Sequence, residues 1–215
     1  MIRNVIFDLD GTLLDTLSDL TGAVNASLDL CGHPHRSEEE VRHMVGHGNR
    51  NLMKCAIPEG ENDPRFEEMF LYFRKYYLEH SEVRTAPYPG IDGMLSDLSA
   101  AGIKTAIVSN KLGNVVESLR NTFFPKIDIA IGGEDGRPLK PDPDMLFRAM
   151  DRLGATKEDT VYVGDSEGDI TTSQRAGIPC VCVLWGFRSR EELEGAGGEI
   201  FAEDTAELTA YLLNN

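Results

Sequence analysis

Short apolar runs rich in β-branched residues alternate with amphipathic stretches along most of this chain, and few architectures satisfy that order. Asn4–Asp8 reads as a buried strand, and Ile103–Ser109, Ile127–Ile131, Thr160–Val163 and Ile178–Leu184 repeat the pattern. Between them, Ile91–Ala101, Asn114–Asn121, Asp144–Leu153 and Ile170–Ala176 carry apolar residues at helical period. Apolar strands joined through helices call for a parallel sheet covered on both faces, so an α/β, Rossmann-like core is predicted. Gly102 and Gly177, each following an alanine, are placed to stop a helix and return the chain to the sheet.

One section breaks the rhythm. From Thr16 to Pro87 no convincing strand occurs, and Leu17–Leu30, Glu38–Met44, Asn49–Ala56 and Pro64–Glu79 carry Leu, Met, Phe and Tyr at helical spacing. A small helical domain over 16–87 is therefore expected to interrupt a core made of 1–15 and 88–215. Ala86-Pro-Tyr-Pro-Gly90 suits a defined hinge back into the sheet. The stripe Phe66, Phe70, Phe73, Tyr77 reads as the core of the helical insertion.

The formal charge of −15, from 36 acidic and 21 basic residues, argues against a nucleic-acid or anionic-membrane partner, since both would be repelled. A small anionic substrate stays admissible if a metal or a few local cations offset the field. No segment approaches the ~20 apolar residues of a membrane helix. The opening run meets Asp8 too early for an export signal, so a cytoplasmic protein with free thiols at Cys31, Cys55, Cys180 and Cys182 is expected. Cys180 and Cys182 share one face of a strand and read as core. Nothing in the chain decides between monomer and homodimer.

Ligands of open parallel sheets gather beyond the carboxyl ends of the strands. The first strand is followed by Asp8-Leu-Asp10-Gly-Thr12 and the second by Ser109-Asn110-Lys111. Lys140-Pro-Asp-Pro precedes the Asp144 helix, and Gly164-Asp165-Ser-Glu-Gly-Asp169 follows the Thr160 strand. An acidic residue at a strand end is also a common helix cap or turn former, which is a full alternative for Asp165 or Asp169 alone. Asp8 is harder to explain that way, because it directly ends an apolar strand, with Asp10 on the same side two residues on. Carboxylates packed this closely need a cation. A hard, oxygen-rich site with few protein ligands suits Mg²⁺, and no Cys/His cluster offers a softer choice. Lys140 is counted as the one side-chain cation of the set.

These four segments, in this order, resemble the motifs of the haloacid dehalogenase superfamily, and within it the phosphoglycolate phosphatases. The motifs are Asp8-Leu-Asp10-Gly-Thr12-Leu13, Val108-Ser109-Asn110, Lys140-Pro-Asp-Pro143 and Gly164-Asp165-Ser-Glu-Gly-Asp169. The resemblance implies that the helical insertion is a cap domain. It implies Asp8 as nucleophile, Asp10 as acid and base, Ser109 as a phosphoryl contact and Lys140 as the neutralising cation. It places Mg²⁺ on Asp8, the carbonyl of Asp10 and Asp165, with Asp169 direct or through water. Gly11, Thr12 and Asn110 would add phosphate contacts.

The implied activity is Mg²⁺-dependent hydrolysis of a small phosphate ester, with phosphoglycolate the best guess. Val45-Gly-His-Gly-Asn-Arg50 is a glycine-punctuated turn opening a helix, so His47, Asn49 or Arg50 would read the rest of the substrate. An exposed interhelical turn with a surface arginine is the plain alternative. A sugar-phosphate mutase of the β-phosphoglucomutase type shares the first motif, but usually has Glu-Asp where this chain has Gly164-Asp165. Pyrophosphatases and nucleotidases share the hydrolase pattern. Gly164-Asp-Ser166-Glu-Gly168 also fits a serine-hydrolase elbow, yet all five histidines lie upstream of it, which that chain order does not allow. Lys54 as a Schiff-base lysine and dehalogenase chemistry are both disfavoured by Asp10.

Overall fold

Val5, Ile6 and Phe7 are fully buried on alternating sides of β1 (Asn4–Phe7), which a strand tolerates only at the centre of a covered sheet. The structure, a computed structural model describing all 215 residues, has two compact units: Met1–Leu14 with Pro87–Asn215, and Asp15–Ala86. Two-residue strands β2 (Leu14–Asp15) and β3 (Ala86–Pro87) lie where the chain passes from one unit to the other.

The larger unit adds β4 (Lys104–Leu112), β5 (Ile129–Gly133), β6 (Thr160–Gly164), β7 (Cys180–Val183) and β8 (Ile200–Ala202). All pair in parallel in the order β5-β4-β1-β6-β7-β8. The chain therefore builds outward from β1 to one side, then crosses back to the other. The carboxyl end of β1, between β4 and β6, is the switch point where such sheets open a crevice.

Ile6, Ala106, Val108, Ile131 and Tyr162 project to one face. There they meet Met145, Leu146, Ala149, Met150 and Leu153 of α7 (Asp144–Leu153) and Ala176 of α8 (Glu167–Ala176). The alternate residues Val5, Phe7, Ile107, Val161 and Val163 are equally buried on the other face. Each such aliphatic or aromatic side chain contributes roughly 1.5–3 kcal/mol by leaving water. α5 (Ile91–Ala100) packs on α10 (Thr205–Asn214), and α6 (Gly113–Phe123) lies against β4 and β5.

Three features differ from the sequence reading. A sixth strand, β8, extends the sheet, preceded by α9 (Arg190–Gly195) and followed by α10. Three residues flanked by Gly197-Gly198 and Glu203-Asp204 are too short a run to show periodicity. α8 begins at Glu167, because Ser166 accepts from the Asp169 amide and Asp169 reaches back to the Ser166 amide in a capping box. β4 continues to Leu112 instead of ending at Ser109.

In the smaller unit, α1 (Leu17–Asp29) packs along α4 (Phe66–His80), with α2 (Glu38–Met44) and α3 (Asn49–Ala56) beside them. α1 buries Leu20, Ala23, Val24 and Leu28, and α4 buries Phe66, Met69, Phe73 and Tyr77. Phe70 departs from the expected core stripe: it is half-buried beneath the Arg50 guanidinium. Asp19, in the first turn of α1, is buried and accepts from the amides of Val83, Arg84 and Thr85 at 3.0, 2.9 and 2.9 Å. That carboxylate fastens the departing segment to α1. No helix in either unit is long and apolar enough to cross a membrane, and all four cysteines are free, Cys182 buried and Cys180 half-buried.

Candidate active site

Asp8 directly continues β1, its amide donating to Val163 O at 2.8 Å as though the strand had not ended. The backbone then reverses. Gly11 sits at φ +84°, a conformation L side chains rarely adopt, and its amide donates to Leu14 O at 2.9 Å. Asp8 and Asp10 are thereby left together at the carboxyl end of the central strand.

Asp165 follows β6 and is held from four sides. Thr12 Oγ1 donates to its Oδ1 at 2.9 Å, and the Phe187 amide donates to its Oδ2 at 2.8 Å. A Cβ on Gly11 would stand 2.2 Å from Asp165 Oδ2, and one on Gly186 would stand 2.3 Å from Asp165 Cβ. Trp185 Nε1 donates to Thr12 O at 3.0 Å and ties the two loops together.

Asp169 is fully buried, and both of its oxygens are engaged. Oδ1 accepts from Lys140 Nζ at 2.7 Å and from the Tyr162 hydroxyl at 2.8 Å. Oδ2 accepts from the Ser166 hydroxyl at 2.6 Å and from the Ser166 and Asp165 amides at 3.0 and 3.2 Å. The Lys140 ammonium also lies 3.1 Å from the Tyr162 hydroxyl and 2.8 Å from Asp8 Oδ1. Asp8 Oδ1 is buried, with the Lys140 ammonium facing it.

The structure thus brings Asp8, Asp10, Ser109, Lys140, Asp165 and Asp169 to the strand ends. Two residues expected to touch phosphate also brace their neighbours. The Thr12 hydroxyl is spent on Asp165, and Asn110 holds the Lys140 backbone, donating to its carbonyl at 2.9 Å and accepting from its amide at 2.7 Å. Gly11 contributes the close approach to Asp165 described above.

His47, Asn49 and Arg50 belong to the helical unit. His47 is exposed, and Asn49, the first residue of α3, has a buried Nδ2 with no hydrogen-bond partner. Arg50 is bound to Glu61 at 2.7 Å and to Glu67 at 2.6 Å, and stacks over Phe66 at 4.8 Å.

Sequence reasoning passed over two polar residues of the site. Tyr162 bridges Lys140 and Asp169, and Lys111 lies 2.9 Å from Asp10 Oδ1 with its side chain 2% exposed. A strand ending at Ser109 would leave Lys111 in a solvated loop. Because β4 runs on, Lys111 shares the side of Ser109, and the period of two was the available signal.

Burial pushes the Asp8 carboxyl well above the usual carboxylate range, with Lys140 opposing and Asp169 and Asp165 adding to the rise. Burial, then Asp169, push Asp165 up to about 7. Burial would raise Asp169 too, but Lys140 and the Ser166 and Tyr162 hydroxyls hold it below its ordinary value. Lys140 stays charged: burial works against its ammonium, and Asp169 and Asp8 more than offset this. Two carboxyls therefore resist ionisation for want of positive charge.

A divalent cation fits that deficit. Ligand oxygens of Asp8, Asp165 and Asp169 lie within 4.8 Å of one another, and Asp8 Oδ1, facing the Lys140 ammonium, keeps lone-pair capacity to spare. The donors are all hard oxygens, as Mg²⁺ prefers.

A parallel sheet with this carboxylate–lysine cluster at its switch point matches known proteins. The profile of haloacid dehalogenase-like hydrolases matches residues 5–183, and the chain belongs to that family. The chain is 32% identical to the phosphoglycolate phosphatase of Pseudomonas putida over 212 residues, covering 94% of this chain and 76% of that one. It is 34% identical to the phosphoglycolate phosphatase of Aquifex aeolicus, covering 86% of each. A Lactobacillus delbrueckii subsp. bulgaricus structure, solved as that of a candidate phosphoglycolate phosphatase, superposes with a TM-score of 0.93 over 99% of both chains at 31% identity. Within the family this chain is a hydrolase of phosphoric monoesters.

Proposed function

We propose that this protein hydrolyses a small phosphate monoester, phosphoglycolate, with Mg²⁺ and by way of an aspartyl-phosphate on Asp8. The observation that carries the reading is Asp8 itself: a buried carboxylate at the switch point, paired with a buried lysine and grouped with Asp165 and Asp169. The names of the relatives support the choice of phosphoglycolate.

Asp8, the Asp10 carbonyl and Asp165 would hold the ion, with Asp169 reaching it through water because both its oxygens are already taken. When bound, the ion shields the phosphoryl oxygens from the negative nucleophile. An Asp8 carboxylate oxygen attacks phosphorus in line, and the bond from phosphorus to the ester oxygen breaks. Asp10, protonated, gives its proton to that leaving oxygen. Water then attacks phosphorus of the acyl phosphate, and the Asp10 carboxylate takes its proton. Phosphate leaves, and Asp8 is restored. Ser109 donates to a phosphoryl oxygen, while Lys140 balances charge on Asp8 and phosphate together. Substrate selection is assigned to the helical unit, through Asn49, His47 or Arg50. His47 is exposed and Arg50 supports from its ion pairs.

The test is phosphate release over a panel of phosphoglycolate, β-glucose 1-phosphate, pyrophosphate and nucleotides, with Mg²⁺ and then with chelator. Metal-dependent release led by phosphoglycolate is expected. Conversion of glucose 1-phosphate to the 6-phosphate would replace the hydrolase with a mutase, and release unaffected by chelator would end the Mg²⁺ assignment.

A further inference from the structure

We propose that Lys111 is the positioning residue for Asp10, holding the acid/base carboxyl in the orientation that serves the ester oxygen. Two lysines are buried in this chain, Lys111 and Lys140. The Lys140 ammonium is shared among Asp8, Asp169 and the Tyr162 hydroxyl. Asp10 has a cation of its own: Lys111 Nζ at 2.9 Å from Oδ1, on a side chain only 2% exposed. The same residue orders the other side of the carboxyl. The Lys111 amide donates to Ser109 Oγ at 3.2 Å, and the Ser109 hydroxyl in turn faces Asp10 Oδ2 at 3.5 Å. Both Asp10 oxygens are thus addressed from the end of β4, one by an ammonium and one by a hydroxyl that Lys111 orients.

The arrangement separates two tasks by charge. Asp8 and Asp10 stand two residues apart, and one lysine shared between them would pull the acid toward the nucleophile. With Lys111 on Oδ1, Asp10 is held in place while Lys140 stays with Asp8. A general acid must stand within hydrogen-bond reach of the atom it protonates, so a carboxyl free to swing would be in place for only part of the time.

The inference rests on Asp10 being the acid/base, and a double-variant cycle separates the two ideas. Lys111→Met, Asp10→Asn and the double variant are assayed for kcat and KM with phosphoglycolate, and for kcat/KM with p-nitrophenyl phosphate, whose leaving group needs little protonation. Lys111→Met is expected to lower kcat for phosphoglycolate about 10- to 100-fold with KM unchanged, and kcat/KM for p-nitrophenyl phosphate far less. In the Asp10→Asn background the same change is expected to cost nothing further. A loss confined to KM, or an equal loss with Asp10 already removed, would overturn the proposal and make Lys111 a substrate contact. If Asp10→Asn lowers kcat/KM equally for both esters, the acid reading of Asp10 fails instead. Should Lys111→Met not fold, Lys111→Gln replaces it. The comparison of Asp10→Asn with the charge-neutral double variant still decides: equal turnover supports the role, and lower turnover removes it.

Discussion

Asp169 and Asp19 are both buried carboxylates, one in each unit, and they are satisfied by different means. Asp169 is matched by an ammonium, two hydroxyls and two amides, in a cluster where burial pushes the Asp8 and Asp165 carboxyls up. Asp19 is matched by three backbone amides and no cation. Backbone amides cannot move or lose a proton, so Asp19 can only hold a chain segment. A lysine–tyrosine–carboxylate cluster with unmet charge can accept an ion and a phosphoryl group. Burial of a carboxylate is common to structure and chemistry, and the partner type tells them apart.

Five predictions bear on that contrast. The largest effect is expected at Asp8: Asp8→Asn removes the proposed nucleophile and is expected to lower turnover by about 10⁴-fold or more. Because burial opposes its ionisation, the thermal midpoint should hold or rise. Retained phosphate release, or a collapsed fold, would erase the distinction between the two carboxylates. Next, Asp19→Asn leaves amides around a poorer acceptor and is expected to cost roughly 1.5–3 kcal/mol in urea unfolding. An unchanged midpoint would show that the three amides find other acceptors.

Metal and pH sharpen the comparison further. Asp165 is pushed up to about 7 from an ordinary value of 3.8, so between those limits the folded, metal-free protein holds a proton the unfolded chain does not. The stability this group contributes is complete below the ordinary value and is lost as pH rises through about 7. Mg²⁺ bound at the proposed site would displace that proton. Its stabilisation, about 2.7 kcal/mol at a hundredfold excess over Kd, should shrink as the pH falls below 7. Melting curves with Mg²⁺ and with chelator at about pH 8 and about pH 6 check this, and an equal shift at both would contradict it. The smallest effects belong to the helical unit's surface. Asn49→Ala should raise KM for phosphoglycolate about tenfold, as the loss of one bond to a charged group implies. Arg50→Gln should change KM within about fivefold, since exposed ion pairs hold the arginine weakly. A larger effect from Arg50 would reverse their order.

The parallel sheet was legible because β1, β4 and β6 are continuous apolar runs with helices between them, and burial on two faces leaves that mark in any chain. The polar clusters were legible for a related reason: each follows a strand whose residues are otherwise apolar. β8 left no such mark, having only Ile200, Phe201 and Ala202. Tyr162 and Lys111 were hidden by their strands. A tyrosine in an apolar run reads as core until its hydroxyl is seen to end at Asp169, and a lysine after Ser109 reads as loop until β4 is found to continue. Thr12 and Asn110 show a different limit. Residue type and place in the motif were enough to put them in the site, but the partner of each polar atom is set by the folded loops.

The two glycines packed against Asp165 carry a consequence for how this enzyme tolerates mutation. Gly11 and Gly186 have no functional group and stand far apart in the chain, yet a methyl group at either would occupy space that Asp165 now fills. Loss of ion binding should therefore follow from alanine at a position whose chemistry gives no hint of it. For this fold, the inventory of residues that the ion depends on includes the places where nothing protrudes.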